Sequence, residues 1–207
     1  MCGIVGYSGR RYDSDRKKFI ALCREACIRG VHAFGIAYID EQGDLVVSKS
    51  TSFDILMRTI PEKIPSKIMF HNRYATSGDA SVSQNNQPIS VGNSALVFNG
   101  TVDMGTKEEM EQRYGFELST ENDGEIVLRD FLNGEPLKHI STNNVSFAGI
   151  YLDRTGKMVA LRNEMRPLWR FRDYGGQFIT STRDIALRGG LIAECGTELT
   201  PLKLYDL

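Results

Sequence analysis

The chain has 207 residues, with 25 lysines and arginines against 26 aspartates and glutamates and a formal net charge of −1. That balance gives no reason to expect nucleic acid or an anionic membrane as a partner. No apolar run reaches the ~18–20 residues of a membrane span, and the N-terminus lacks the basic, apolar, small-residue order of a signal peptide. The default expectation is a cytoplasmic protein, one domain over residues 1–207, with a single sizeable core.

In chain order, residues 2–7 read as a buried strand. Ser14 or Asp13 can cap a helix that runs to about Arg29, with Phe19, Leu22, Cys23, Ala26 and Cys27 on one face and Gly30 as its stop. Residues 34–40 and 45–48 flank Glu41-Gln42-Gly43-Asp44 and predict a β-hairpin. Residues 53–60 read as a short helix closed by Pro61. Residues 67–74 predict a strand that leads into a polar loop ending at Pro88. Residues 94–98 predict a further strand, interrupted by Asn99-Gly100.

Thr106-x-x-Glu109 is a capping box for a helix that ends near Gly115. Asp123 can cap another helix, 124–132, closed by Gly134. Residues 145–152 and 158–162 flank Asp153-Arg154-Thr155-Gly156 as a second hairpin. Residues 177–181 read as a strand, 184–188 as a helical turn, and 199–205 as a last strand. This order lacks the strict βαβ alternation of a doubly wound sheet and is rich in hairpins. It predicts an α+β fold in which two antiparallel sheets face one another under covering helices.

Four cysteines occur, at positions 2, 23, 27 and 195, with no C-x-x-C pair and three scattered histidines. Structural zinc is not expected, and no other metal or cofactor is. Cys23 and Cys27 read as a small apolar pair on a packed helix face. Cys2 has two readings. It is either a small buried residue opening a strand or, once Met1 is trimmed, a residue bearing both a thiol and a free α-amine. Those groups titrate near pH 8.5 and about 7.7–8.0, close to working pH, so one can attack while the other moves protons.

Three further stretches place polar residues where strands should end. In His71-Asn72-Arg73-Tyr74-Ala75-Thr76-Ser77-Gly78, Arg73 offers a two-pronged donor to a carboxylate, or else a surface salt bridge. In Phe98-Asn99-Gly100, the Asn99 amide and the Gly100 backbone can form an oxyanion hole, or else a plain Asn-Gly turn. In Glu121-Asn122-Asp123-Gly124-Glu125, Asp123 is a helix cap, a partner for an ammonium group, or both.

Taken together in this order, these segments resemble a known family. Cys2-Gly-Ile-Val-Gly, Arg29-Gly30 followed by Gly35-Ile36, the 71–78 segment, Asn99-Gly100 and Asp123-x-Glu125 are similar to the glutaminase domain of class II glutamine amidotransferases, which are N-terminal-nucleophile hydrolases. Arg162, Arg166-Pro167-Leu168 and Ser181 resemble later segments of the same family. The resemblance implies a four-layer αββα sandwich and hydrolysis of L-glutamine to glutamate and ammonia.

Position by position, it implies Cys2 as nucleophile with its α-amine as base, and Asn99 and Gly100 as oxyanion donors. Arg73 would hold the substrate α-carboxylate and Asp123 the α-ammonium, with Tyr74, Thr76 and Ser77 in the substrate loop. The sequence departs from the family at Ser77, Gln87 and Phe98, where histidine is frequent, and at Val31-His32, where an aspartate is common.

No Ser-Gly-Gly-x-Asp-Ser pyrophosphate loop, phosphoribosyl-binding acidic pair or second sugar-phosphate domain is present in these residues. The expectation is therefore that the ammonia passes to a separate synthase protein. The alternatives are a stand-alone amidase acting on another γ-glutamyl amide, and a non-catalytic glutamine-binding module. Loss of Cys2, Asn99 or Gly100 would mark the latter, and all three are present.

Overall fold

The computed structural model describes residues 1–74 and 81–207. The chain runs β1 (Gly3–Gly9), α1 (Asp13–Ala26), a 3-10 turn (Cys27–Arg29), β2 (Ala33–Ile39), β3 (Leu45–Ser50), α2 (Phe53–Arg58), β4 (Lys67–Arg73), β5 (Ile89–Val91) and β6 (Ser94–Thr101). It continues through α3 (Lys107–Tyr114), α4 (Gly124–Leu132), β7 (Ser146–Asp153), β8 (Met158–Arg162), β9 (Trp169–Asp173), β10 (Gly176–Thr180), α5 (Arg183–Arg188), β11 (Gly196–Glu198) and β12 (Tyr205–Asp206). Among the described residues these strands form a seven-stranded sheet, β11-β9-β10-β1-β4-β2-β3, and a five-stranded sheet, β12-β8-β7-β6-β5. Their pairings are antiparallel. The α+β class with two antiparallel sheets is the one expected.

The period-2 alternation of side chains divides the apolar residues of each central strand between two faces. Val5, Tyr7 and Phe70 pack with Phe19 and Leu22 of α1, Leu56 of α2 and Ile185 of α5. Leu96, Phe98 and Phe147 pack with Met110 of α3 and Ile126 and Val127 of α4. The alternate residues of the same strands meet in a third cluster drawn from both sheets. Ile4, Ala37, Met69 and Ile179 come from the larger sheet, and Ala95, Val97, Ile150 and Ala160 from the smaller. Strands buried on both faces read as nearly continuous apolar runs, as 2–7 does.

Local signals hold where the chain makes its own bonds. Thr106 Oγ1 accepts from Glu109 N at 3.3 Å and Glu109 Oε2 from Thr106 N at 2.8 Å, the expected reciprocal cap of α3. The 41–44 and 153–156 turns both join paired strands. Cys23 is buried and Cys27 half-buried, neither in a disulfide, as the apolar-pair reading expects.

Four expectations change. Asn99-Gly100 does not turn the chain, because β6 runs through it to Thr101, pairing Asn99 with Ala148 and Gly100 with Phe147. The residue preceding α1 is Tyr12, whose N–H is taken by Asp15 Oδ2 at 3.2 Å, so neither Asp13 nor Ser14 is the cap. Asp123 precedes α4 but makes no capping bond with its side chain. Asn122 Oδ1 instead accepts from Gly124 N at 3.1 Å. Residues 199–205 are not one strand, since the chain pairs at β11, turns, and pairs again at β12.

Candidate active site

Strand register carries the site. Met69 lies in the cluster shared by the two sheets, so His71 and Arg73, two and four residues on, continue along the same face of β4. Val97 lies in that cluster too, and Asn99 follows it two residues later along β6. Cys2 stands two residues before Ile4, another member. Three segments far apart in sequence thus present polar side chains at one end of an apolar layer. Ser181 pins the start of β1, because its Oγ accepts from Ile4 N at 2.6 Å while its N–H donates to Ile4 O at 3.1 Å.

The Cys2 nitrogen donates to Asn99 Oδ1 at 3.1 Å. Asn99 Nδ2, the other end of that amide, is buried without a hydrogen-bond partner among the described residues. An orphan donor costs roughly 1–3 kcal/mol unless something accepts from it. Cys2 Sγ lies 3.5 Å from Tyr74 N and 3.8 Å from Tyr74 O. Arg29 Nε donates to Cys2 O at 2.8 Å and fixes the residue from behind. Burial pushes the Cys2 thiol above its ordinary value, opposed by the contact with the Tyr74 backbone and by the positive charges of the chain terminus, Arg73 and Arg29.

A narrow cleft opens at this point, lined by Cys2, Arg73, Tyr74, Gln87, Phe98, Gly100, Asn122 and Asp123. Arg73 is 4% exposed, and its Nη1 donates to Asn86 Oδ1 at 2.6 Å. Asp123 Oδ2 accepts from Val102 N at 2.5 Å and Asp103 N at 3.1 Å. Burial nonetheless raises its carboxyl to about 6, with the negative charge of Asp103 adding to the effect and the two N–H bonds opposing it. Gly124 makes this position reachable: a Cβ there would overlap the Phe98 ring, so only glycine lets α4 begin against β6. Phe98 is that packing surface.

Among the expected site residues, Cys2, Arg73, Tyr74, Gly100 and Asp123 line one cleft, with Asn99 bonded to the first of them. Thr76 and Ser77 lie outside the described residues. Sequence reasoning did not single out Asn86 as the support of Arg73, or Asn122 as part of the lining. Gln87, a departure from the resembled pattern, has a structural role: its Oε1 accepts from Phe98 N at 2.6 Å. These bonds bridge segments that no local pattern connects. Among the described residues, no cluster of histidine, cysteine, aspartate or glutamate has the makings of a metal site. No helix among them is long and apolar enough to cross a membrane.

No family model matches the chain. Several solved structures share its fold. Glutamine phosphoribosylpyrophosphate amidotransferase from B. subtilis, complexed with ADP and GMP, superposes with a TM-score of 0.75 at 17% identity, covering 100% of this chain and 47% of that one. A structure described as the allosteric regulatory enzyme of purine biosynthesis gives 0.74 at 18% identity, covering 100% of this chain and 46% of that one. A glutamine aminotransferase class-II domain protein from Silicibacter pomeroyi gives 0.60 at 13% identity, covering 98% and 93%. The chain thus spans about half the length of the first two. At these identities the likeness is one of fold.

Proposed function

We propose that this chain is a glutamine-hydrolysing domain of the class II amidotransferase kind, with Cys2 as an N-terminal nucleophile. One observation carries the reading: the Cys2 nitrogen is bonded to Asn99 Oδ1 at 3.1 Å, while Asn99 Nδ2 is left buried and unpartnered among the described residues. That supports an attacking residue set beside an oxyanion donor, because the free amide N–H₂ can donate to developing charge near the thiol. The fold neighbours support the same reading: one is a glutamine phosphoribosylpyrophosphate amidotransferase and another a glutamine aminotransferase class-II domain protein.

With Met1 attached, the Cys2 nitrogen is a peptide N–H with no basic lone pair. Removal of Met1 converts it to an α-amine whose ordinary pKa is about 7.7–8.0, low enough to act as a base near neutrality. The amine takes the thiol proton as Sγ attacks the side-chain carbonyl carbon of glutamine. Negative charge then develops on the carbonyl oxygen, and the Asn99 Nδ2 and Gly100 N–H groups stabilise it. The amine returns the proton to the leaving nitrogen, the C–N bond breaks and ammonia departs, leaving a γ-glutamyl thioester. Water activated by the same amine then releases glutamate.

Free glutamine presents one fixed anion and one fixed cation, so recognition needs one charge of each sign. Arg73 faces the α-carboxylate and Asp123 the α-ammonium in this reading. The ammonia passes to a separate synthase protein. The test is ammonia release from glutamine by the purified protein and by its Cys2→Ala variant, with and without candidate synthases. The reading predicts activity that requires Cys2. Equal activity in the variant would refute it.

A further inference from the structure

Beside the cleft that holds Cys2 lies a wider one, lined by Met1, Ile28, Arg29, Val31, His32 and Tyr74 among others. Tyr74 lines both. At the edge of the wider cleft two arginines converge on one atom. Arg29 Nη2 is 3.6 Å and Arg166 Nη1 3.4 Å from the sulfur of Met1. Neither arginine has a carboxylate within ion-pair distance among the described residues, although eleven such pairs are found elsewhere in the molecule. Arg166 Nε is buried and has no hydrogen-bond partner among the described residues.

Such an arrangement is costly. Two guanidinium groups repel each other and lose water to partial burial. Arg29 shows both effects: burial lowers its affinity for the proton, and Arg166 adds to this while Cys2 opposes it. A thioether is a weak acceptor and carries no compensating charge. Moreover, the one group now seated on both arginines, Met1, is the residue whose removal the proposed chemistry requires.

We propose that Arg29 and Arg166 form an anion subsite on the leaving-group side of Cys2, opened by removal of Met1, so that the enzyme also cleaves γ-glutamyl amides whose amine half carries a carboxylate. The inference rests on Cys2 being the nucleophile. The reaction balances as it does for glutamine. The γ-amide C–N bond breaks, the thioester forms, the amine leaves with the proton from the Cys2 thiol, and water then releases glutamate. The amine half here is an amino acid, and its carboxylate meets the two guanidinium groups as a charge-assisted, multiply donated pair.

The experiment compares kcat/KM for γ-glutamylglycine and γ-glutamylethylamide, which differ in the leaving amine by one carboxylate, using protein verified by mass to lack Met1. The ratio, taken within each protein, cancels losses in the steps common to both substrates. A charge-assisted pair predicts a ratio of about tenfold or more in favour of γ-glutamylglycine. Arg166→Gln should bring it close to one, Arg166→Lys should leave an intermediate value, and added salt should lower the wild-type ratio without any substitution. A wild-type ratio of one or less overturns the inference, as does a ratio that Arg166→Gln and salt both leave unchanged. Glutamine hydrolysis, measured alongside, separates the two failures: if it persists, only the subsite is lost, and if it is absent, the nucleophile reading falls first.

Discussion

Cys2 and Asn99 are 97 positions apart and share a hydrogen bond of 3.1 Å, from the Cys2 nitrogen to Asn99 Oδ1. The bond fixes which way the amide points. With the oxygen held by Cys2, the donor end must face away from that nitrogen, and it is buried with nothing to donate to among the described residues. Asn99→Ala should therefore lower kcat for glutamine by about 10²–10³-fold, the usual loss for one oxyanion donor. KM should change little, since charge on the oxygen develops only in the transition state. Steady-state kinetics would show this, and a kcat close to wild type would exclude the role.

Glutamine affinity should depend on pH through Asp123. Its carboxyl is raised to about 6 by burial, so it is ionised above that value and neutral below it. The substrate ammonium stays charged throughout this range, and its partner is lost as pH falls. Glutamine binding to the Cys2→Ala variant should weaken by up to about tenfold per unit below pH 6, and Asp123→Asn should bind weakly and without this pH dependence. Titration calorimetry at a series of pH values reads both, and a flat profile in the Cys2→Ala protein would count against the assignment.

Arg73 is held by Asn86 Oδ1 at 2.6 Å. Arg73→Ala should raise KM for glutamine far more than it lowers kcat, because the α-carboxylate is bound equally in ground and transition states. Asn86→Ala should act in the same direction and less strongly, since the charge remains while its support is gone. An unchanged KM in Arg73→Ala would remove it from the site.

Gly100 has a φ of 151°, in the region that favours glycine, and a Cβ there would overlap Ser146 O on the neighbouring strand. Gly100→Ala must part β6 from β7 or distort the strand, at a cost of about 3 kcal/mol or more. Thermal unfolding should show a lower Tm together with loss of glutaminase activity. A variant with wild-type Tm would show that the strand can absorb the change.

Much of the fold was legible because local chemistry and final structure agree. The α3 capping box, the two hairpins and the divided apolar alternation of β1, β4 and β6 all follow from neighbouring residues. Asn99-Gly100 was misleading, because an Asn-Gly pair favours a turn in isolation. Pairing with Ala148 and Phe147 overrides that preference.

Asp123 likewise occupies a capping position, yet its carboxylate is held by Val102 and Asp103 from the segment after β6. For the site, the individual residues could be named, but their mutual geometry could not. The link from Arg73 to Asn86 and the grip of Gln87 on Phe98 are tertiary contacts that leave no periodic trace. The convergence of Arg29 and Arg166, which are far apart in the sequence, was equally hidden.

Everything in the proposed chemistry depends on Cys2, freed of Met1, being the attacking group. The most direct test is the intact mass of the purified protein before and after reaction with an electrophilic glutamine analogue, with the modified residue located by peptide mapping. A nucleophilic N-terminal Cys2 gives a chain lacking Met1 and a single adduct on Cys2, formed more slowly when glutamine is present. Retention of Met1, or an adduct confined to Cys27 or Cys195, would contradict it.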